Sequence, residues 1–324
     1  MTNRRYYAYA RHALVTALKM ARVQPGSEVL IPHFICRDVL AALAAVGARP
    51  SFYELDSDLQ LSAEQSLPAA TALLAVNYFG FPADLERTRT SISSANTVVI
   101  EDNAHGWLSS DHTGVLLGTR GPLGITSFRK TILSPDGAYL EWSADPRLDL
   151  DVVHTPLASR KDHIGLGFRG RRFVQQMENA TRFPIRQIAR DVIRATRRAQ
   201  GKPSIIENAS DEFCLPRDLA VHEYSLRQFN KVDHESEISR RRGLFIKCQE
   251  LASHHEVCGV FSSLPTGVVP QGFPFYADSG NTPKFIKALR YQCWGEVMPW
   301  PALPAGSTLS LASRLRSIQL VNFL

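Results

Sequence analysis

The stretch GTRGPLGITSFRKTILSPDGA, residues 118–138, decides how this chain is read. Glycines punctuate the approach to a short apolar run, GITSF at 124–128. One lysine, Lys130, follows, and Pro135-Asp136-Gly137 turns the chain into a second run, AYLEW at 138–142. Short apolar runs bounded by turn residues read as buried strands. Upstream, VVIEDNAHG at 98–106 overlaps a third run, TVVIED at 97–102, that ends on two carboxylates, Glu101 and Asp102.

The same pattern extends to the N-terminus. The spacing of Ala13, Leu14, Ala17, Leu18 and Ala21 predicts a helix over 10–22. Pro25-Gly26 turns the chain, EVLIP (28–32) reads as a strand, and DVLAALAAVG (38–47) as a helix ended by Gly47. PSFYEL (50–55) and ALLAVNYFG (72–80) read as strands, with a polar helix around 83–95. Strands apolar on both faces and separated by helices predict an α/β fold, with a mostly parallel central sheet and helices on both faces. Such sheets bind ligands beyond the carboxyl ends of their strands. Glu101, Asp102 and the 129–137 loop lie at such ends.

The second half changes character. Residues 160–202 hold twelve Lys/Arg against three Asp/Glu, a net +9 within a chain of +6, so the remainder is near −3. Pro184 reads as a helix breaker. Beyond it, Ile185, Ile188, Val192, Ile193 and Ala199 share one face, opposite Arg186, Arg190, Arg194 and Arg197. This segment reads as a solvated helix face, an anionic-ligand site or a membrane-surface contact. KPSIIENASDE (202–212) reads as a linker. A polar helix carrying Arg240-Arg241-Arg242 up to about 253, strands near 257–261 and 273–277, a helix at 282–292 and the loop MPWPALPAG suggest a smaller C-terminal α+β domain. The expected division is 1–212 and 213–324.

The composition limits the function classes. The 324 residues, 44% hydrophobic, suffice for a large core. No run approaches the roughly 18 apolar residues of a membrane span, and no secretory h-region follows the N-terminus. Five scattered cysteines without CxxC spacing fit reduced thiols and a cytoplasmic setting. No Walker loop, GxGxxG or metal-ligand spacing occurs. Nucleic-acid binding is not expected, because no recognition motif accompanies the basic segment.

Six residues carry candidate chemistry, each with a plainer alternative. Asp102 partners a protonated heteroaromatic nitrogen, or it makes a helix cap or a structural ion pair. Lys130 is a nucleophile with a depressed pKa, or a surface lysine. Ser127 binds a phosphate oxygen or caps a turn. His105 contacts a cofactor oxygen or is a satisfied polar residue. His33 and Cys36, after the EVLIP strand, face a site or pack in the core.

Taken in order, these motifs resemble the DegT/DnrJ/EryC1/StrS family of aminotransferases dependent on pyridoxal 5'-phosphate (PLP). ARHALVTALKMARVQPGSEVLIPHF is similar to the family's opening helix, turn and strand. VGARPSFYELDSD, AVNYFGFPADL, VVIEDNAHG, GTRGPLGITSF and KTILSPDGA follow in family order, and the resemblance covers roughly 8–320. It implies the aspartate-aminotransferase-like fold (PLP fold type I) and a homodimer. The implied substrates are an amino-acid donor, glutamate by expectation, and a keto-sugar, nucleotide-linked by expectation. The alternatives are a PLP-dependent sugar dehydratase, in which histidine replaces the lysine, and a non-catalytic binding or scaffold protein.

The resemblance also implies site residues. Lys130 would bond to the cofactor and shuttle the proton. Asp102 would hold the ring nitrogen, His105 would lie near the ring hydroxyl, and Ser127 would bind the phosphate. The family's phosphate turn falls on Ala10-Arg11, with His12 next, so Arg11 would add a charge-assisted contact. The ring-stacking aromatic falls near Cys36, with Phe34 or His33 as substitutes. The Ser-to-Lys spacing is two residues short, and the asparagine-bearing element expected around Tyr224–Asn230 is absent.

Overall fold

The computed structural model describes residues 3–181, 183, 185–201, 209–292 and 294–324. In chain order the elements are β1 (Asn3–Tyr7), α1 (Ala10–Met20), β2 (Glu28–Pro32), α2 (Leu40–Ala45), β3 (Arg49–Tyr53), β4 (Ala72–Val76), α3 (Leu85–Ser91), β5 (Val98–Asn103), β6 (Leu123–Thr126) and β7 (Ala138–Trp142). There follow α4 (Leu166–Thr181), α5 (Ile185–Ala199), α6 (Glu223–Phe229), α7 (His234–His254), β8 (Gly272–Tyr276), α8 (Thr282–Gln292), β9 (Glu296–Pro299) and β10 (Ile318–Asn322).

The first seven strands form one sheet in the order β1-β7-β6-β5-β4-β2-β3. β2 to β6 run parallel, β7 is antiparallel to β6, and β1 is antiparallel to β7. β8, β10 and β9 form a separate antiparallel sheet.

Strand periodicity explains the layering. Val29 and Ile31, Leu74 and Val76, and Val98 and Ile100 pack on one face with Leu14 and Leu18 of α1. Their neighbours Leu30, Leu73, Ala75 and Val99 pack on the other, against Leu85 of α3. Side chains of successive strand residues point to opposite faces, so these nearly all-apolar strands need cover on both. The α1-side core continues into the small sheet through Phe245, Phe273, Phe275 and Phe285.

Three expectations change. β1, β9 and β10 are strands the pattern did not reveal. The β1 sequence NRRYY looks polar, yet Arg4 bonds Glu141 at 2.6 Å and lies 4.2 Å from the centre of the Tyr139 ring, so its partner strand supplies its cover. The strand expected near 257–261 is reduced to a single bridge, Gly259 to Phe275. ALLAVNYFG leaves the sheet at Val76 and turns through Phe79, which has φ +56°.

Pro184 and 202–208 lie outside the described residues, as do the side chains of Arg186, Arg190 and Arg194. On α5, Ile188, Val192 and Ile193 are exposed. Among the described residues no helix is long and apolar enough to cross a membrane.

Candidate active site

β5 sorts its two terminal carboxylates onto opposite faces. Glu101 is fully buried on the α3 side, where Arg120 donates to it from Nε at 2.8 Å and lies 2.6 Å away through Nη2. It is therefore a structural ion pair, and Arg120, inside the opening motif, is its partner. Asp102 follows Val98 and Ile100 onto the α1 side. It is buried, and its Oδ1 accepts one backbone hydrogen bond, from Ala104 at 2.9 Å. Burial raises its pKa, and Lys130 and the Ala104 N–H partly offset that rise. A buried carboxylate with so little compensation suits a cationic partner.

Lys130 ends a short 3-10 turn, Phe128–Lys130, directly after β6. The turn is held at several points. The Lys130 N–H donates to the Ser127 carbonyl at 3.2 Å, and the Arg129 N–H to the Gly137 carbonyl at 3.2 Å. Gly137 has φ +135°, and a Cβ there would stand 2.1 Å from the Phe128 ring, so only glycine lets the returning chain approach. Asp136 is buried and accepts from Arg160 at 2.9 Å, Ser225 at 2.5 Å and the His222 N–H at 3.2 Å. Arg241 of α7 donates to the Thr131 carbonyl at 2.7 Å. The loop is short, but it is anchored on both sides.

Lys130 Nζ lies 2.9 Å from His105 Nε2. The Nδ1 of the same ring accepts the Phe79 N–H at 3.3 Å, so the imidazole proton belongs on Nε2. A ring that donates through Nε2 needs an acceptor, and the lysine can accept only as the neutral amine. The electrostatics agree. Burial lowers the pKa of Lys130, only partly countered by Cys36 and Asp102. Burial by itself holds His105 below its ordinary range, and any charge on Lys130 would push it lower still.

Asp102, His105, Ser127, Lys130 and Arg11 all line one cavity of about 320 Å³. Of the residues expected to react or to hold the cofactor's ring nitrogen, hydroxyl and phosphate, His12 is not brought there. Its Nε2 lies 2.9 Å from the Pro216 carbonyl, because α1 turns that buried side chain away from the cavity. Arg11 lines the cavity but is paired with Asp38 at 2.5 Å. Ser127 is buried, and its Oγ has no partner among the described residues.

The stacking assignments are corrected as well. Phe34 packs behind the wall on Trp300, with ring centres 4.6 Å apart. His33 is held between the Tyr53 carbonyl and the Leu55 N–H. Cys36 does line the cavity, and burial pushes its thiol up. The aromatic lining comes instead from Tyr9, Tyr78, Phe79 and Trp300. Sequence reasoning missed these four and Arg129. The turn at Phe79 and the loop around Trp300 gave no periodic signal. Arg129 sits between two assigned residues, where only the fold shows its direction.

Comparison with known families matches residues 8–137, which include Arg11, Asp102, His105, Ser127 and Lys130. This segment matches the DegT/DnrJ/EryC1/StrS aminotransferase family. Within it the chain is similar to a Saccharopolyspora spinosa protein, dTDP-4-dehydro-2,3,6-trideoxy-D-glucose 4-aminotransferase. The two are 31% identical over 143 residues, 42% of this chain and 37% of that one. It is also similar to GDP-perosamine synthase of Escherichia coli O157:H7, at 33% identity over 135 residues, 40% of this chain and 37% of the other. The similarity thus spans little more than a third of each curated relative. A DegT/DnrJ/EryC1/StrS aminotransferase structure from Brucella abortus superposes with a TM-score of 0.62 at 18% identity, covering 99% of this chain and 80% of the other. The fold is therefore that of these enzymes, including the region beyond the DegT/DnrJ/EryC1/StrS segment.

The residues present fit PLP. An orphaned hydroxyl at Ser127, an undercompensated buried carboxylate at Asp102 and the amine of the half-buried Lys130 face one cavity of suitable size.

Proposed function

We propose that the protein is a PLP-dependent aminotransferase that moves an amino group from an amino acid, glutamate in our reading, onto a nucleotide-linked keto-sugar. The observation that carries this reading is Lys130, whose Nζ lies 2.9 Å from His105 Nε2 in the cavity that Asp102 also lines. The sugar class is supported by the curated relatives, whose names specify dTDP- and GDP-linked sugars.

PLP, when bound, supplies an electron sink for charge developing next to the migrating amino group. The chain's residues do the rest. Asp102 holds a proton-bearing ring nitrogen by charge. Lys130 acts first as a nucleophile and then as the base that holds and moves a proton at Nζ. His105 keeps that amine neutral and aimed. Ser127 binds the phosphate. Tyr78, Phe79 and Trp300 wall the site from water. A lysine at this position favours transamination over the dehydratase reading. The free thiols of Cys36, Cys214, Cys248 and Cys258 support a cytoplasmic setting.

The test is spectroscopic. The purified chain incubated with PLP is expected to develop a visible absorbance band that borohydride bleaches, leaving a mass adduct on Lys130. Lys130→Ala should abolish the adduct, and Asp102→Asn should weaken PLP binding while leaving the fold intact. A wild-type chain that forms neither band nor adduct would sink the cofactor claim. A bound cofactor with no glutamate half-reaction would remove the proposed donor.

A further inference from the structure

Arg129 is the one cation of the cavity wall that the assignments above leave without a task. Its backbone is fixed in the Lys130 turn, yet its Nε is buried without a hydrogen-bond partner. Among the described residues it joins no ion pair; its guanidinium carbon lies 5.1 Å from the centre of the Tyr9 ring. Burial lowers its pKa; Tyr9 and, from beyond ion-pair distance, Asp38 and Asp136 oppose this, and Arg11 adds to it. A largely buried cation without a directly paired anion is costly. Arg11, by contrast, already has Asp38.

Two further features of the same wall await an anion. The buried Ser127 Oγ has no partner. The first turn of α1 reaches the cavity through Tyr9, Ala10 and Arg11, with no side-chain cap and no acidic residue. A free helix N-terminus favours negative charge. Lone hydroxyl, lone guanidinium and uncapped helix end thus line one cavity.

We propose that Arg129, together with Ser127 and the first turn of α1, is the binding site for a phosphate monoester dianion, with Arg129 supplying the charge-assisted contact. This rests on the reading of the cavity as a PLP site, and it transfers to Arg129 the role the sequence suggested for Arg11. The ligand group is the 5'-phosphate of the cofactor; a phosphate of the nucleotide-linked substrate is the other source.

The experiment uses the full cofactor-free chain, titrated with PLP, pyridoxal and inorganic phosphate and followed by calorimetry. Wild type should bind PLP far more tightly than pyridoxal, and inorganic phosphate should compete with PLP. Arg129→Gln should weaken PLP by about 10- to 100-fold, the range of one charge-assisted bond, while leaving pyridoxal unchanged. Arg129→Lys, which keeps charge and volume, should fall between, and its melting curve controls for folding. Arg11→Gln should have the smaller effect. Equal losses for PLP and pyridoxal in Arg129→Gln, or no loss for either, overturn the proposal and leave the cofactor reading standing. Phosphate binding that depends on Arg129 in a chain that ignores both PLP and pyridoxal upholds the anion site and removes the cofactor reading. Uridine diphosphate competing for Arg129 while PLP affinity is indifferent to it overturns the assignment to the cofactor's phosphate.

Discussion

Replacing Arg241 tests whether the short Lys130 turn is held from outside. Arg241 is 1% exposed. It donates to Glu237 at 2.5 Å, to the Gln271 carbonyl at 2.9 Å, to the Pro270 carbonyl at 3.3 Å and to the Thr131 carbonyl at 2.7 Å. In Arg241→Met these partners fare differently. Glu237 keeps Arg240, which bonds it at 2.7 and 2.8 Å. The Gln271 carbonyl keeps the Phe323 N–H at 3.3 Å. The Thr131 carbonyl, beside Lys130, and the more weakly bonded Pro270 carbonyl have no such reserve. The loss is therefore less than that of a fully broken buried ion pair, about 2–4 kcal/mol from two orphaned carbonyls and the lost charged bonds. At about 2 °C per kcal/mol for a chain of this size, the melting temperature should fall by about 4–8 °C. Differential scanning calorimetry of the cofactor-free chain measures this. Borohydride trapping on Lys130 should slow as the turn loosens, and Arg241→Lys should recover part of both. A melting shift under 2 °C, or unchanged trapping in a clearly destabilised variant, would refute the clamp.

Gly137→Ala should destabilise by about 2–5 kcal/mol, from strained backbone plus displacement of the buried Phe128 ring, and should be visible in denaturant melts. The buried histidines give a pH signature. Burial is the leading cause of the lowered pKa values of His12, His33 and His105, so each stays neutral in the fold where the unfolded chain takes up a proton. Their stability contribution is complete above the unfolded value of about 6.5, and each loses up to about 1.4 kcal/mol per pH unit as pH falls below it. Denaturant midpoints between pH 7.5 and 5.5 should fall, and His105→Asn should flatten the slope.

Strand patterning made much of the large sheet legible. β2, β4, β5, β6 and β7 are nearly continuous apolar runs, and a strand buried on both faces must have that composition. The alternation within β5 also separates Asp102 from Glu101, although the sequence does not say which face holds the cavity. β1 was hidden because its cover comes from a strand more than a hundred residues away in sequence, Ala138–Trp142, and β10 because it is paired by β8 and β9 across the intervening helix and loop.

By itself, then, the sequence determined the α/β layering, the carboxylate at the end of β5 and the lysine after β6, because these follow from local periodicity and from turn residues such as Pro135 and Gly137. Only the tertiary structure decided how they act. It set His105 against Lys130, sent His12 away to Pro216, paired Arg11 with Asp38 and left Arg129 facing the cavity without an anion. The reason is physical: charge state and hydrogen-bond partnership depend on what lies across a cavity, and that is fixed by sheet order and loop anchoring. The clearest case is the clamp from Arg241 to Thr131, 110 residues apart, which no local pattern encodes.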